Sequence, residues 1–304
     1  MATLQTKVIV NPVAGARSTR RKWPVINRLL KRVGLTFDFD YTEGVGHAIE
    51  LARAAASDGY RYLVAVGGDG TVNEVANGIL HSTNAATTAL GVVSTGTGSD
   101  FARSAGLARD YTIACANLTS PKRLSIDVGV VEYQSGGETR ERFFVNTAGV
   151  GFDAAVVKET ERLPKFFGGT IPYLAGLLRT LVVYKNKPVV VKIGDEVERG
   201  RVLNVVVANG GYLGGGMHIV PEAELCDGLL DVAIVGDMGK FELLKELPKV
   251  YKGTHVNHPK FKMKKAAHAT IESPETMLVY ADGELLGECP ASFRVVPAAL
   301  SLVV

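Results

Sequence analysis

Apolar residues in the first third of the chain fall in short blocks separated by stretches of helical period. Lys7–Val10, Tyr62–Val66 and Ala89–Val93 are compact apolar runs, and Leu35–Tyr41 alternates apolar with polar residues. These predict strands. Lys22–Val33 and Ala48–Ala56 predict helices. Thr71–Leu80 does so most clearly, with Val72, Val75, Ala76 and Ile79 at i, i+3, i+4 and i+7. Strand and helix in alternation predict an α/β domain: a Rossmann-like, three-layer arrangement with helices on both faces of a parallel sheet. Ligands of such sheets sit at the carboxyl ends of the strands. The glycine-rich loops here all follow strands, so they should gather at that edge.

Beyond about residue 122 the pattern changes. Strand-like runs dominate: Leu124–Tyr133, Arg142–Thr147, Val189–Ile193, Val202–Ala208, Leu229–Val235, Ala269–Glu272, Met277–Tyr280 and Phe293–Val296. Helical signals persist at Asp153–Arg162, Tyr173–Tyr184 and Phe241–Tyr251. This predicts a second, mostly antiparallel β domain over residues 123–297, after a first domain over 1–122, with the boundary near Pro121.

Bulk composition narrows the class. A chain of 304 residues suggests about two domains at roughly 150 residues each. The net charge of +3 is too small to argue for nucleic acid. Three cysteines, with no C-x-x-C pair, point away from a disulfide framework or a zinc site and toward a reducing compartment. The segment Met1–Val10 lacks the pattern of a secretory signal, and no run reaches the ~20 apolar residues that span a bilayer. The expectation is a cytoplasmic protein, with peripheral membrane contact left open and a homodimer left open as well.

The first candidate for chemistry is Gly67-Gly68-Asp69-Gly70-Thr71. A buried strand ends before it, and three glycines strip side chains from the turn. Backbone N–H groups can then approach an anion. The helix predicted to open at Thr71, which is also a good capping residue, adds its dipole and free N–H groups. Asp69 is the puzzle, since a carboxylate repels phosphate unless it holds a cation, orients water or accepts a proton. Taken alone, the segment could equally be a tight strand–helix turn. Neither the G-x-G-x-x-G pattern nor the P-loop pattern fits, because Asn73 stands where a third glycine should be and no G-K-[ST] follows. Two loops of similar composition, Asn11–Gly15 and Ser94–Asp100, also follow strands. Three such loops at one sheet edge favour a shared nucleotide cleft.

Gly67-Gly68-Asp69-Gly70-Thr71-Val72-Asn73-Glu74-Val75 resembles the signature of the diacylglycerol kinase catalytic domain, a family that includes sphingosine kinases and, more distantly, NAD kinases. The resemblance runs along the chain in order. It includes Asn11-Pro12-x-x-Gly15, Gly96-Thr97-x-x-Asp100-Phe101-Ala102-Arg103, Ile126-Asp127-x-Gly129 and Asn146-x-Ala148-Gly149-x-Gly151-Phe152-Asp153. It continues through Ala208-Asn209-Gly210, Gly214-Gly215-Gly216, Asp227-Gly228-x-x-Asp231 and Asp282-Gly283-Glu284. It implies a nucleotide-binding domain followed by a β-sandwich-like domain, with the strand at 298–304 returning to the first. It also implies ATP as co-substrate, Mg²⁺, and a lipid acceptor at a membrane surface. Asn11, Thr42, Gly67, Gly68, Asp69, Gly70, Thr71, Val72, Asn73 and Thr97 match the family's nucleotide contacts. Asp100 and Arg103 match positions serving phosphate or acceptor. Asp227, with the carbonyls of Glu224 and Leu229, matches a Mg²⁺ site, and oxygen ligands suit that ion. Glu284 matches the general base, with Asp69 as its rival. One departure is Ser99, where the family usually has Asn.

The expected activity is therefore transfer of the ATP γ-phosphate to a lipid hydroxyl, on diacylglycerol or a related glycerolipid or sphingoid base. Phosphorylation of a soluble metabolite such as NAD is the alternative, and a non-catalytic nucleotide-binding regulator is a third reading. The acceptor pocket should be apolar, with Phe152, Phe166, Phe167, Leu174 and Leu177 as candidates that could equally be core. Between residues 240 and 265, eight lysines surround Phe241, Tyr251 and Phe261. This is either a solvated basic face or a patch for anionic lipid. The pair His255 and His258 reads as loop rather than metal site.

Overall fold

The computed structural model describes residues 6–120, 122–162 and 170–304. Contacts divide the chain into two compact units, Met1–Ile126 with Ala298–Val304, and Asp127–Pro297.

In the first unit, β1 (Thr6–Val10), α1 (Ala14–Arg32), β2 (Phe37–Tyr41), α2 (His47–Ser57), β3 (Tyr62–Gly67), α3 (Asp69–Leu80) and β4 (Ala89–Ser94) follow the predicted alternation. The short helices α4 (Asp100–Ser104) and α5 (Tyr111–Asn117) come next. The sheet runs β2-β1-β3-β4 with every neighbour parallel. Successive strand side chains point to opposite faces. Val8, Val10, Tyr62, Val64 and Val66 therefore share one face, where they form a core with Trp23, Ile26 and Leu30 of α1 and Cys115 of α5. Trp23 also packs its ring 5.0 Å from Phe39, covering edge strand β2. On α3 the predicted apolar positions Val72, Val75, Ala76 and Ile79 are all buried.

The second unit continues with β5 (Arg123–Ser135), which crosses the division, then β6 (Glu138–Phe144) and β7 (Thr147–Gly151). Two helices follow, α6 (Phe152–Glu161) and α7 (Thr170–Val183). Next come β8 (Lys187–Ile193), β9 (Glu196–Ala208), the small hairpin β10 (Tyr212–Leu213) and β11 (Met217–His218), and β12 (Leu230–Gly236). After α8 (Lys240–Val250) come β13 (Phe261–Ala266), β14 (His268–Glu272), β15 (Leu278–Ala281) and β16 (Glu284–Val303).

Pairings within the second unit are antiparallel, in the order β13-β12-β9-β7-β15-β16. The long β9 divides its length: Glu196–Val202 pairs with β8, and Asn204–Ala208 with β7 and β12. Strands that change partners along their length make the corners of a sandwich. The core between the layers holds Phe144 and Phe293, ring centroids 6.5 Å apart, with Val191, Val205, Val207, Ile271 and Val279. The protein is thus an α/β chain with a parallel-sheet N-terminal unit and an antiparallel, sandwich-like C-terminal unit.

Candidate functional site

In the first unit, the three loops after β1, β3 and β4 touch at the carboxyl edge of the sheet. Asn11 leaves β1 and its Nδ2 donates to Thr71 Oγ1 at 2.9 Å. The amide of Thr95 donates to the Gly67 carbonyl at 2.7 Å, tying the β4 loop to the end of β3. A Cβ on Gly96 would stand 2.7 Å from the Gly68 Cα, so the two loops meet backbone to backbone. At Gly15, φ is +57°, and a Cβ would stand 2.5 Å from the Thr95 carbonyl oxygen. The hydroxyls of Thr19 and Thr95 close the same corner at 2.6 Å. Thr42 lies at the neighbouring strand end, where its amide donates to the Val10 carbonyl.

The helix begins two residues earlier than its apolar pattern indicates. Gly68 is extended (φ −96°, ψ −174°) and serves as the N-cap, with no side-chain bond. Thr71 is therefore the third helical residue and not the cap. Its side chain folds back to within 2.4 Å of where a Cβ on Gly67 would be. The first intrahelical bond of α3 runs from the Val72 amide to the Gly68 carbonyl. The amides of Asp69, Gly70 and Thr71 precede it, so they and the helix dipole favour an anion there. Val72 and Asn73 are buried, and Asn73 Oδ1 accepts from Asn77. Their side chains therefore hold α3 in place. Thr97 is exposed on the adjoining loop.

The Asp69 carboxylate has a specific partner. Its Oδ1 accepts the Phe101 amide at 3.0 Å, in the first turn of α4. Asp69 thus joins the second and third loops. Its Oδ2 and the Oδ2 of Asp100 lie 3.0 and 3.3 Å from the point a Cβ on Gly98 would occupy. Gly98 therefore leaves open a space flanked by two carboxylates. Arg103 lies beside it, Nε 4.0 Å from Asp100 Oδ1. Ser99 adopts a left-handed conformation (φ +54°), which Asn tolerates better than Ser. Its hydroxyl is held at 2.6 Å by Ser94. Glu74, in the same motif, accepts the amides of Gly46 and Ala48 and so caps α2.

In the second unit, Asp282 and Gly283 form the left-handed turn between β15 and β16, with φ +45° and +82°. The Asp282 carboxylate accepts three backbone amides, those of Val145, Asn146 and Thr147, at 2.8, 3.0 and 2.8 Å. Glu284 follows, partly exposed, with Oε2 2.7 Å from Arg142 Nη2. The turn is rigidly fixed and presents a paired carboxylate. Nothing in the local sequence signals the Arg142 partner, which lies 142 residues away.

The expected Mg²⁺ ligands sit in another loop of the same unit. Asp227 Oδ1 accepts the Leu229 amide at 3.0 Å, and Oδ2 receives Lys265 Nζ at 2.6 Å. Asp231 is 3.6 Å from the same ammonium, and burial pushes its carboxyl up to about 6 despite that neighbour. Lys265 thus supplies positive charge to Asp227, and both oxygens of that carboxylate are engaged in this arrangement. Among the described residues, no group of three or more His, Cys, Asp or Glu could hold a metal.

The second unit also contains an apolar cavity between α7, α8 and the sheet. Phe152, Leu177, Leu203, Met217, Leu247 and Phe261 are among its walls. Phe152 and Leu177 were expected in an acceptor pocket. Leu174 is half-exposed on α7, and Phe166 and Phe167 lie outside the described residues. Asp153 lines the cavity too, and burial pushes its carboxyl up to about 6, although Asn204 donates to it at 2.5 Å. No described helix is long and apolar enough to cross a membrane.

Comparison with known proteins fits both units. Residues 5–131 match the diacylglycerol kinase catalytic domain, and residues 146–304 match the YegS C-terminal NAD kinase beta sandwich-like domain. The diacylglycerol kinase of Staphylococcus saprophyticus is 30% identical over 289 residues, covering 95% of this chain and 92% of that one. That of Staphylococcus carnosus is 29% identical, covering 95% and 91%. A solved diacylglycerol kinase structure from Bacillus anthracis superposes with a TM-score of 0.74 at 21% identity, over 100% of this chain and 97% of that one. At that identity the superposition speaks for the fold alone.

Proposed function

The chain belongs to the diacylglycerol kinase family, and on that premise we propose that it transfers the γ-phosphate of ATP to a lipid hydroxyl. The acceptor is a diacylglycerol or a related glycerolipid or sphingoid base. The observation that carries this reading is the meeting of the three loops, through Asn11–Thr71, Gly68–Gly96 and Asp69–Phe101, around the open N-terminus of α3. Backbone amides at a helix start suit the ATP phosphates. Asp69 and Asp100 would hold the Mg²⁺ that accompanies the nucleotide, since that ion is typically bound by one or two carboxylates plus phosphate oxygens. Bound there, Mg²⁺ supplies charge neutralisation on the β- and γ-phosphates. Arg103 adds positive charge beside them.

Glu284 serves as the general base, held by Arg142. It takes the proton of the lipid hydroxyl as that oxygen bonds to the γ-phosphorus. The bond from phosphorus to the bridging oxygen breaks, and ADP leaves. The apolar cavity favours a lipid over a soluble acceptor such as NAD, because its wall offers few polar groups to recognise a dinucleotide.

Labelled ATP and Mg²⁺, offered with a panel of lipids and with NAD, test this. The expected product is a phospholipid identified by mass; label on NAD and on no lipid would overturn the reading. A Gly96→Ala substitution probes the loop contact. A methyl 2.7 Å from the Gly68 Cα must push the loops apart. ATP affinity by calorimetry should fall about tenfold, with a stability loss of about 1–3 kcal/mol. Unchanged affinity would remove the contact from the nucleotide site.

A further inference from the structure

The lysines between 240 and 265 do not act as one patch. Lys262 and Lys264 on β13 face Glu198 and Glu196 across the sheet and are paired with them. Lys260 is paired with Glu242, Lys249 with Glu246, and Lys265 with Asp227. Most of the basic run is therefore neutralised locally. Among the described residues, no ion pair involves Lys245 or Lys252, which lie on or just beyond the outer face of α8.

Exposed apolar residues accompany those two lysines. On α8, Phe241 is 84% exposed and Leu244 is 43% exposed, three residues on. On α7, Leu178 and Val182 are 49% and 67% exposed at i and i+4, in line with Leu174. The two helices are joined where Lys240 Nζ donates to the Val182 carbonyl. Leu178 and Leu244 are both surface residues and part of the cavity wall, so the apolar surface runs into the cavity without a break. Exposed apolar residues grouped in this way mark an interaction site.

We propose that the outer faces of α7 and α8 insert into an anionic lipid bilayer and give lipid a path into the cavity. This rests on the lipid-kinase reading and names the partner of the same site. Phe241 and Val182 supply the apolar anchors, and Lys245 and Lys252 meet the headgroups, as in an interfacial helix with apolar and basic positions interleaved. A bilayer fits better than a second copy of the same face, because self-association would bring Lys245 and Lys252 toward their like. The strand lysines take no part.

The test is sedimentation of the full chain with phosphatidylcholine vesicles, with and without phosphatidylglycerol. The wild type should pellet with the anionic vesicles. Phe241→Ser with Val182→Ser should weaken binding at least about tenfold. Lys262→Gln with Lys264→Gln should change it less than about twofold. Circular dichroism checks that each variant is folded. No binding by the wild type, or a twofold change or less in the apolar variant, overturns the proposal. So does a wild-type dimer that fails to bind vesicles and becomes a monomer in the apolar variant. Phosphorylation of a short-chain lipid dissolved as monomers separates the two readings. Wild type and apolar variant should then work equally well. If neither phosphorylates any lipid, the kinase reading fails, and the vesicle result still judges the surface.

Discussion

Glu284→Gln should keep the fold and ATP binding while turnover falls by about 10²–10⁴-fold, the usual contribution of a positioned general base. Glutamine keeps the length and volume of the side chain. Its amide oxygen can still accept from Arg142 Nη2, now 2.7 Å from the carboxylate, so the turn geometry should survive. What disappears is the capacity to take a proton. Steady-state kcat on a lipid substrate, with ATP affinity measured separately, reads the two effects apart. Turnover within about threefold of wild type would remove Glu284 as base and leave that role to Asp69. Asp69 is less free for it, since one of its oxygens already accepts the Phe101 amide.

Asp282→Ala, two residues earlier in the chain, should do the opposite and act on stability. Three consecutive amides, of Val145, Asn146 and Thr147, lose their shared acceptor. Hydrogen bonds to a charged group contribute about 1.5–3 kcal/mol each, and buried donors left unpaired add to the loss. The alanine must also occupy φ +45°, at about 1–2 kcal/mol. These terms are not additive, but a total above about 4 kcal/mol is expected, large against the ~5–15 kcal/mol that holds a typical protein folded. The urea midpoint should fall steeply, with any turnover lost through unfolding. A loss below about 1 kcal/mol would show that water replaces the carboxylate at little cost. The two variants together separate a chemical carboxylate from a structural one within a three-residue turn.

Much of the fold was legible because each element has its own period. The apolar stripe on α3 and the runs of β1, β3 and β4 identified the parallel unit. Other elements were hidden by composition. Thr147–Gly151 is a fully buried strand made mostly of small residues, so it shows no β-branched run. Phe261–Ala266 reads as part of a basic tract, yet it is a strand whose lysines alternate toward Glu196 and Glu198. The start of α3 was hidden by Gly68 and Gly70, which read as loop. At the site, the ordered motifs brought out the loop residues, but not their partners. The bonds from Asp69 to Phe101, from Arg142 to Glu284 and from Asp282 to the Val145–Thr147 amides all join residues far apart in sequence. No local pattern encodes them. The same holds for Lys265 beside Asp227 in the expected metal loop.

The last strand carries a consequence for how the protein is made. β16 belongs to the second unit up to Pro297 and to the first from Ala298, where φ turns to +50°. Ser301 and Leu302 then pair in parallel with Ala89 and Leu90 of β4. The sheet of the first unit is therefore completed by a segment translated only after the whole of the second unit. Until it arrives, β4 has one unpaired edge and the core lacks Leu300, Leu302 and Val303, an exposed state prone to wrong pairing. Domains of many chains fold one after another as they leave the ribosome. Here the domain that begins first must wait until the whole second unit has been made before it can close.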